Sequence, residues 1–301
     1  MLLMILHPMS QWNPDQIAAH HLKGLAFAEL KRSEFKEDWQ VTSFRNHHMK
    51  KELEALGPQF SQKNLQVVLL KGFALLGDIY PDWGSRFTSD VDILVDSFQL
   101  KEVTKILARN GFNKQEEKTW MGNQFKSLFI KKTEQWEISI EVHSRLFWHR
   151  QKLGHQLKPS TQISNYYILS DEDMLLHLAG HYAFQHNFLK LFWLVDIQRF
   201  LERRSNTLNW SIFWKKAQFF HLQESCKIVL FLCGEQGGKC APGLSWRQKM
   251  LRRLVTQSFL MAPRSQPWRY HLIKVLVKDS IFDSLRYTLL WFFSYKLSLF
   301  K

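Results

Sequence analysis

The chain has 301 residues, 45% hydrophobic and 23% charged, with 24 Phe and 12 Trp; that much apolar material offsets chain entropy and excludes a disordered chain. Thirteen Gly and eight Pro exclude a collagen-like or Gly/Pro low-complexity chain, and three Cys (Cys226, Cys233, Cys240) exclude a disulfide scaffold and suit a reducing compartment. The net charge of +14 is uneven: residues 201–301 hold 17 basic and 5 acidic side chains, +12, which leaves +2 for the first 200. Such a basic third either attracts a polyanion (nucleic acid, nucleotide phosphates, an anionic membrane) or is a solvated positive face that aids solubility.

In chain order, Pro14–Asp15 opens a candidate helix with Ile17, Leu22, Leu25 and Leu30 at mixed three and four spacings. A second helix is expected from about Glu37 to Leu56, ended by the breakers Gly57–Pro58. Leu65–Leu70 reads as a buried strand ending at Lys71–Gly72. Phe73–Tyr80 reads as the helix after that turn, closed by Pro81–Gly84. Val91–Val95 is the next strand, and Phe98–Asn110 a helix with Gly111 at its C-terminal cap. Phe112–Lys118, Phe125–Lys131 and Trp136–Val142 follow as strands.

After about Ser160 the pattern turns helical: Asp171–Phe188, with Ser170 as N-cap and Asp173 completing a capping box, then Leu189–Arg203, Trp210–Phe220, Gln223–Cys233, Trp246–Leu260 and Trp268–Lys278. The expected fold class is α+β: a small mixed sheet with flanking N-terminal helices over residues 1–160, then an all-helical basic domain over 161–301. The longest apolar stretch, Tyr287–Phe300, is shorter than the roughly 20 residues a span requires, and Lys296 interrupts it. The opening MLLMILHPMS has no basic n-region, so it is a poor signal peptide and the expected location is the cytoplasm.

The chemistry-bearing segment runs from Leu70-Lys71-Gly72 to Arg86 and Ser89-Asp90-Val91-Asp92-Ile93-Leu94-Val95. Alternation puts Asp90 and Asp92 on one strand face and Val91, Ile93 and Val95 on the other. Two adjacent carboxylates need a cation or a proton between them, and their hard oxygens suit Mg²⁺ or Mn²⁺. In Glu137–His143, Ile138, Ile140 and Val142 face the core, so Glu141 shares the other face with Ser139 and His143. If the two strands are neighbours, three carboxylates converge. That is the donor set for two metal ions about 3.5–4 Å apart, the clamp for in-line displacement at phosphorus. Gly72 lets backbone N–H groups approach a phosphate, the following helix aims its positive end there, and Lys71 and Arg86 supply charge. Arg86 is alternatively a structural partner of Asp82 or Asp90.

These residues resemble the DNA-polymerase-β-like nucleotidyltransferases: a strand, a Gly-containing turn and helix, Asp-x-Asp on the next strand and a third acidic residue on a later one. More narrowly, Leu70–Gly72, Tyr80–Pro81, Arg86, Asp90–Val95 and Glu141–His143 are similar to an uncharacterised nucleotidyltransferase family, whose helical part matches His177, His181 and Asp196–Ile197. The wider superfamily commonly has Gly-Ser in the turn; here Phe73 follows Gly72. The resemblance implies transfer of a nucleoside monophosphate from an NTP, with ATP the expected donor, to an acceptor it does not identify (RNA, protein, peptide, sugar or small molecule). It implies Asp90, Asp92 and Glu141 as metal ligands and catalytic groups. Lys71, Gly72, Arg86 and Ser89 then hold the nucleotide, and His143 and His181 lie on the acceptor side.

Elsewhere, His177 and His181 are four apart with His186 following, a spacing that fits either helix packing or a lined site. Cys226 and Cys233 recur at seven, which suits one helix face packed in the core. Arg247, Lys249, Arg252 and Arg253, with Trp246 and Trp268 nearby, form the densest basic patch. That patch supports a second reading of the chain: a catalytically inactive protein of this fold gripping nucleic acid or another polyanion through residues 201–301.

Overall fold

The computed structural model describes residues 9–116, 125–134, 136–147, 155–234, 245–280, 282 and 284. The opening residues 1–8, Cys240, the apolar stretch Tyr287–Phe300 and the end of the expected strand Phe112–Lys118 lie outside them. The described residues form two compact units: Leu22–Ser170, and the stretch up to His21 joined with the chain from Asp171 onward.

The first unit is built on a mixed seven-stranded sheet. Its strands are β1 (Val68–Leu69), β2 (Val91–Leu94), β3 (Asn113–Lys114), β4 (Lys126–Lys132), β5 (Glu137–His143), β6 (Leu157–Pro159) and β7 (Tyr167–Leu169), in the order β3-β4-β5-β2-β1-β7-β6. The central pair β2–β5 is parallel, and it is flanked by antiparallel β1–β2 and β4–β5. Val91, Ile93, Ile138, Ile140 and Val142 are all buried, as the alternation requires. The chain between His143 and Asp171 carries β6 and β7, which the sequence pattern does not announce. Each has three residues, too few to display a period, and β6 is an edge strand ending in Pro159.

The long helix α3 (Lys36–Gln62) passes through Gly57–Pro58 instead of stopping there. Pro58 removes one intrahelical donor, at a cost of about 3 kcal/mol. Against this, Met49, Leu53, Leu56 and Phe60 form one buried stripe at four, three and four spacings, each such side chain worth roughly 1.5–3 kcal/mol. The Tyr166 hydroxyl donates to the Leu53 carbonyl at 3.0 Å, and the ring meets Phe60 edge-on at 5.9 Å. Tertiary burial thus overrides the local breaker.

The helix after the Lys-Gly turn is shorter than expected. It is α4 (Lys71–Leu75), and the chain leaves it at Leu76. Gly77, at φ 82°, then turns the chain back so that Gly77 N–H donates to the Tyr80 carbonyl and Tyr80 N–H to the Leu75 carbonyl, at 2.8 and 3.0 Å. Helix α5 (Leu100–Arg109) covers the sheet with Val103, Ile106 and Leu107 and ends at left-handed Gly111.

The single helix expected from Pro14 is two, α1 (Pro14–Ala19) and α2 (Lys23–Leu30), separated by His21 at φ 57°. Asn13 and Gln16 form a reciprocal capping box at the start of α1. Buried His20 ties this end into the helical unit. Its Nε2 lies 3.2 Å from the Met261 carbonyl, and its Nδ1 accepts from Leu191 N–H.

The helical unit continues with α6 (Asp171–Ala179), which widens into a π-helical turn over Gly180–Gln185. It is followed by α7 (Leu191–Arg204), α8 (Trp210–Phe219) and α9 (Gln223–Leu232). The run read as one helix from Trp246 to Leu260 is α10 (Trp246–Leu254) and α11 (Gln257–Met261). The Thr256 hydroxyl accepts from Phe259 N–H and starts the second. Helix α12 (Pro267–Leu276) follows. Cys226 and Cys233 are buried and unbridged.

Gly72 fixes the distance between α4 and the segment leading into β2. A Cβ there would fall 2.5 Å from the Thr88 methyl, on a buried, β-branched side chain whose hydroxyl is bonded to Asn46. Gly72→Ala is expected to destabilise the protein by about 1–3 kcal/mol through overpacking. Adding Thr88→Ser, which keeps the hydroxyl and removes the methyl, should recover most of that loss in urea unfolding. Equal stability of the single variant and wild type would mean that the two segments are not tightly opposed.

Candidate active site

The parallel register of β2 and β5 pairs Val91 with Ile140, Asp92 with Glu141, Ile93 with Val142 and Leu94 with His143. Successive side chains alternate faces, so Asp92, Glu141 and His143 emerge on one side of the sheet and the branched aliphatic residues fill the other. Two carboxylates directly opposite each other on neighbouring strands repel. The surrounding side chains offset that repulsion with positive charge. Lys71 Nζ donates to Asp92 Oδ1 at 2.8 Å; His143 Nε2 lies 2.8 Å from the same oxygen and 3.0 Å from Glu141 Oε2; Lys126 pairs with Glu141 Oε1.

Burial shifts these groups in directions set by their partners. Desolvation alone would raise the Asp92 carboxyl, but the Lys71 ammonium and the hydrogen bond from His143 hold it well below its ordinary 3.8. The same opposition acts on Glu141, where His143 overcomes desolvation and brings the group to about 2. His143 loses solvation yet rises above 6.5, because both carboxylates bond it. Lys71 is likewise raised despite burial, by Asp92 and Glu141. The carboxylates are therefore ionised and the imidazole favours its cationic form.

Lys71 occupies the left-handed region at φ 46°, a conformation that costs a non-Gly residue about 1–3 kcal/mol and is found where the surroundings impose it. The strain falls on the residue whose ammonium neutralises Asp92. Gly72 follows in α4, with the Arg86 guanidinium nitrogens 3.6 Å from where its Cβ would stand. Buried Arg86 donates to the neighbouring Phe87 carbonyl.

Asp90 and Ser89 precede β2. Ser89 Oγ–H donates to Asp90 Oδ1 at 2.6 Å, and the Asp90 carboxyl is raised by burial and by the charge of Asp92. Among the described residues, ligand atoms of Asp92, Glu141 and His143 lie within 4.8 Å of one another; Asp90 stands outside that group. The structure thus brings Asp92, Glu141, His143 and Lys71 into direct contact, keeps Asp90 at electrostatic range, and sets Gly72 beside Arg86. His181 belongs to the helical unit, where its Nδ1 lies 3.0 Å from Gln185 Oε1 and its ring sits 4.3 Å from His186 and 4.8 Å from Trp193.

Three residues of the site escape sequence reasoning. Lys126 reaches Glu141 from β4, whose antiparallel register sets Lys126 opposite His143; that pairing becomes legible only once the hairpin is aligned. Asn46 of α3 donates to the carbonyls of Trp83 and Arg86 at 2.7 and 2.8 Å and accepts from Thr88, which anchors the segment carrying Arg86. Arg45, next to it, donates to the Ser89 carbonyl at 2.8 Å and feels the Asp90 charge. Both act over more than 35 residues of chain, with no local motif to mark them.

Asp92 and Glu141 fit a divalent cation by their chemistry, two hard carboxylates with converging oxygens, and His143 would join them as a ligand only in its neutral form. Such an ion would compete with the Lys71 ammonium for Asp92.

A solved structure described as an antigenic nucleotidyltransferase-like protein from Paracoccidioides brasiliensis is similar to the chain at 15% identity and a TM-score of 0.37, covering 52% of this chain and 76% of that one. No curated protein matches the chain. The sequence model of a family described as uncharacterised nucleotidyltransferase matches residues 15–237, from α1 through the sheet to the end of α9. With the strand–turn–helix, the Asp-x-Asp strand and the later Glu-Val-His strand all in this match, the chain belongs to that nucleotidyltransferase family.

Proposed function

We propose that the protein transfers a nucleoside monophosphate from an NTP to an acceptor hydroxyl in a reaction that depends on Mg²⁺ or Mn²⁺. The observation that carries this reading is the opposition of Asp92 and Glu141 across two parallel strands, with Lys71 and His143 bonded to them. In the reaction, the acceptor hydroxyl gives up its proton to solvent, its oxygen bonds to the α-phosphorus, the bond from that phosphorus to the bridging oxygen breaks, and pyrophosphate leaves. Asp92 and Glu141, with Asp90 beside them, would hold the divalent ion, which would neutralise charge at the phosphates and acidify the hydroxyl.

The remaining work falls to the chain. Glu141 is held at about 2, which makes it a poor proton acceptor and suits it to be a ligand. Lys71 has three donors, of which Asp92 uses one; the others can meet phosphate oxygens of the donor. Arg86 and the Gly72 backbone border the same turn. Catalysis on this plan consists of positioning and charge compensation in a half-buried site.

Incubation with labelled ATP, CTP, GTP and UTP plus cell lysate should transfer label to one fraction when Mg²⁺ or Mn²⁺ is present, and Asp92→Asn or Glu141→Gln should reduce transfer at least 100-fold with the fold intact by circular dichroism. Full transfer by either variant would remove the carboxylate pair from the chemistry. Mn²⁺ should raise the melting temperature of wild type and not of Asp92→Asn.

The raised pKa of His143 carries a pH signature in EDTA. The stabilisation from its protonation is complete below its ordinary 6.5 and is lost as pH rises through the higher folded value. Urea-unfolding stability of wild type should therefore fall with pH above about 6.5, and His143→Gln should flatten that slope. A slope that survives the substitution would assign the effect to another group.

A further inference from the structure

The helical unit carries a surface of different character from the rest of the chain. Residues 245–278 contain eight Lys and Arg and no Asp or Glu; Lys278 is buried, which leaves seven with some exposure. On α10, Gln248, Leu251 and Val255 point inward, and the opposite stripe, at three, four and seven spacings, is Trp246, Lys249, Met250 and Arg253, all exposed. Helix α12 packs against α10 and likewise turns Trp268 and Val275 outward. Trp246 is 59% and Trp268 65% exposed. Five of the nine exposed large hydrophobic side chains among the described residues lie between Trp246 and Phe282.

We propose that this face docks onto the surface of an anionic lipid membrane, with Trp246, Met250, Trp268 and Val275 inserted at the headgroup level and Lys249 and Arg253 on lipid phosphates. Charge complementarity demands an anionic partner, since no carboxylate in this stretch offsets its cations. The apolar component decides between partners. Nucleic acid uses aromatic rings for stacking and cations for phosphates, but has no use for exposed Met250 and Val275. An interfacial surface combines Trp and aliphatic side chains with Lys and Arg, because the boundary between headgroups and acyl chains accepts both. The arginines next to the tryptophans are occupied by the protein. Arg247 donates to the Lys278 carbonyl and Arg269 to Gln266 Oε1, with their guanidiniums 5.5 and 5.6 Å from the Trp246 and Trp268 ring centres. They hold the indoles outward and leave Lys249 and Arg253 as the free cations of the α10 stripe. Among the described residues no helix is long and apolar enough to cross a membrane, so the contact is with the surface. This inference is independent of the nucleotidyl-transfer reading.

Flotation of the full chain with vesicles of phosphatidylcholine, with and without 30% phosphatidylglycerol, tests it. Binding is expected only with phosphatidylglycerol, weakening as salt rises. Lys249→Glu with Arg253→Glu, and separately Trp246→Ala with Trp268→Ala, should each weaken it about tenfold or more. Thermal unfolding of these variants should stay close to wild type, because the substituted side chains are exposed. Absence of binding to phosphatidylglycerol vesicles, binding that both double variants retain, or binding of a labelled single-stranded RNA in place of vesicles would each overturn the proposal.

Discussion

Two carboxylates placed opposite each other in a parallel strand pair are the constraint around which the first unit is arranged. Asp92 and Glu141 owe their opposition to a register that also buries Val91, Ile93, Ile140 and Val142 on the far face. A shift of one residue on either strand would turn the carboxylates into the core and the aliphatic residues outward. The hydrophobic pattern thus fixes the acidic pair with no contribution from the acids themselves. What the acids require is compensation, and it comes from three directions: Lys71 from the turn after β1, Lys126 from β4, and His143 two residues further along β5.

This compensation explains how a charged cluster is tolerated half-buried. Removing water from two carboxylates is costly, and the lysine bonded to each, with His143 shared between them, restores much of the loss. The arrangement also sets the terms for a divalent cation. An incoming ion competes with an ammonium and an imidazolium already bonded to the ligands, so its affinity reflects a replacement of charges. The left-handed backbone of Lys71 places this counter-ion at the start of α4.

The sheet and its acidic face are legible in the sequence because they rest on period-two patterns in Val91–Val95 and Glu137–His143. That the two strands are neighbours follows from no local signal. Gly57–Pro58 misleads because local breaking strength is weighed there without the burial of Phe60 and Leu56. The break at His21 is silent because the apolar spacing runs on across it. Strands β6 and β7 are too short to show a period. Lys126, Arg45 and Asn46 are invisible for another reason: each acts across the fold on a partner that only the tertiary structure supplies.

The turn between β1 and α4 shows how a departure from a superfamily pattern can be read physically. Where related enzymes commonly place Ser after the Gly, Phe73 is buried here, with its ring edge-on to Trp83 at 6.1 Å. A core aromatic at this position cannot face a phosphate, so the turn has no side-chain hydroxyl to offer. The adjoining Gly72 is also committed, since the space beyond its Cα is filled by the Thr88 methyl and approached by Arg86. With hydroxyl and open space both absent, the cations that remain at the turn are Lys71 and Arg86. A phosphate grip built on them is electrostatic where the Gly-Ser form is a directional hydrogen bond. It would hold the donor through total charge, at the cost of sharper geometric selection among phosphate poses.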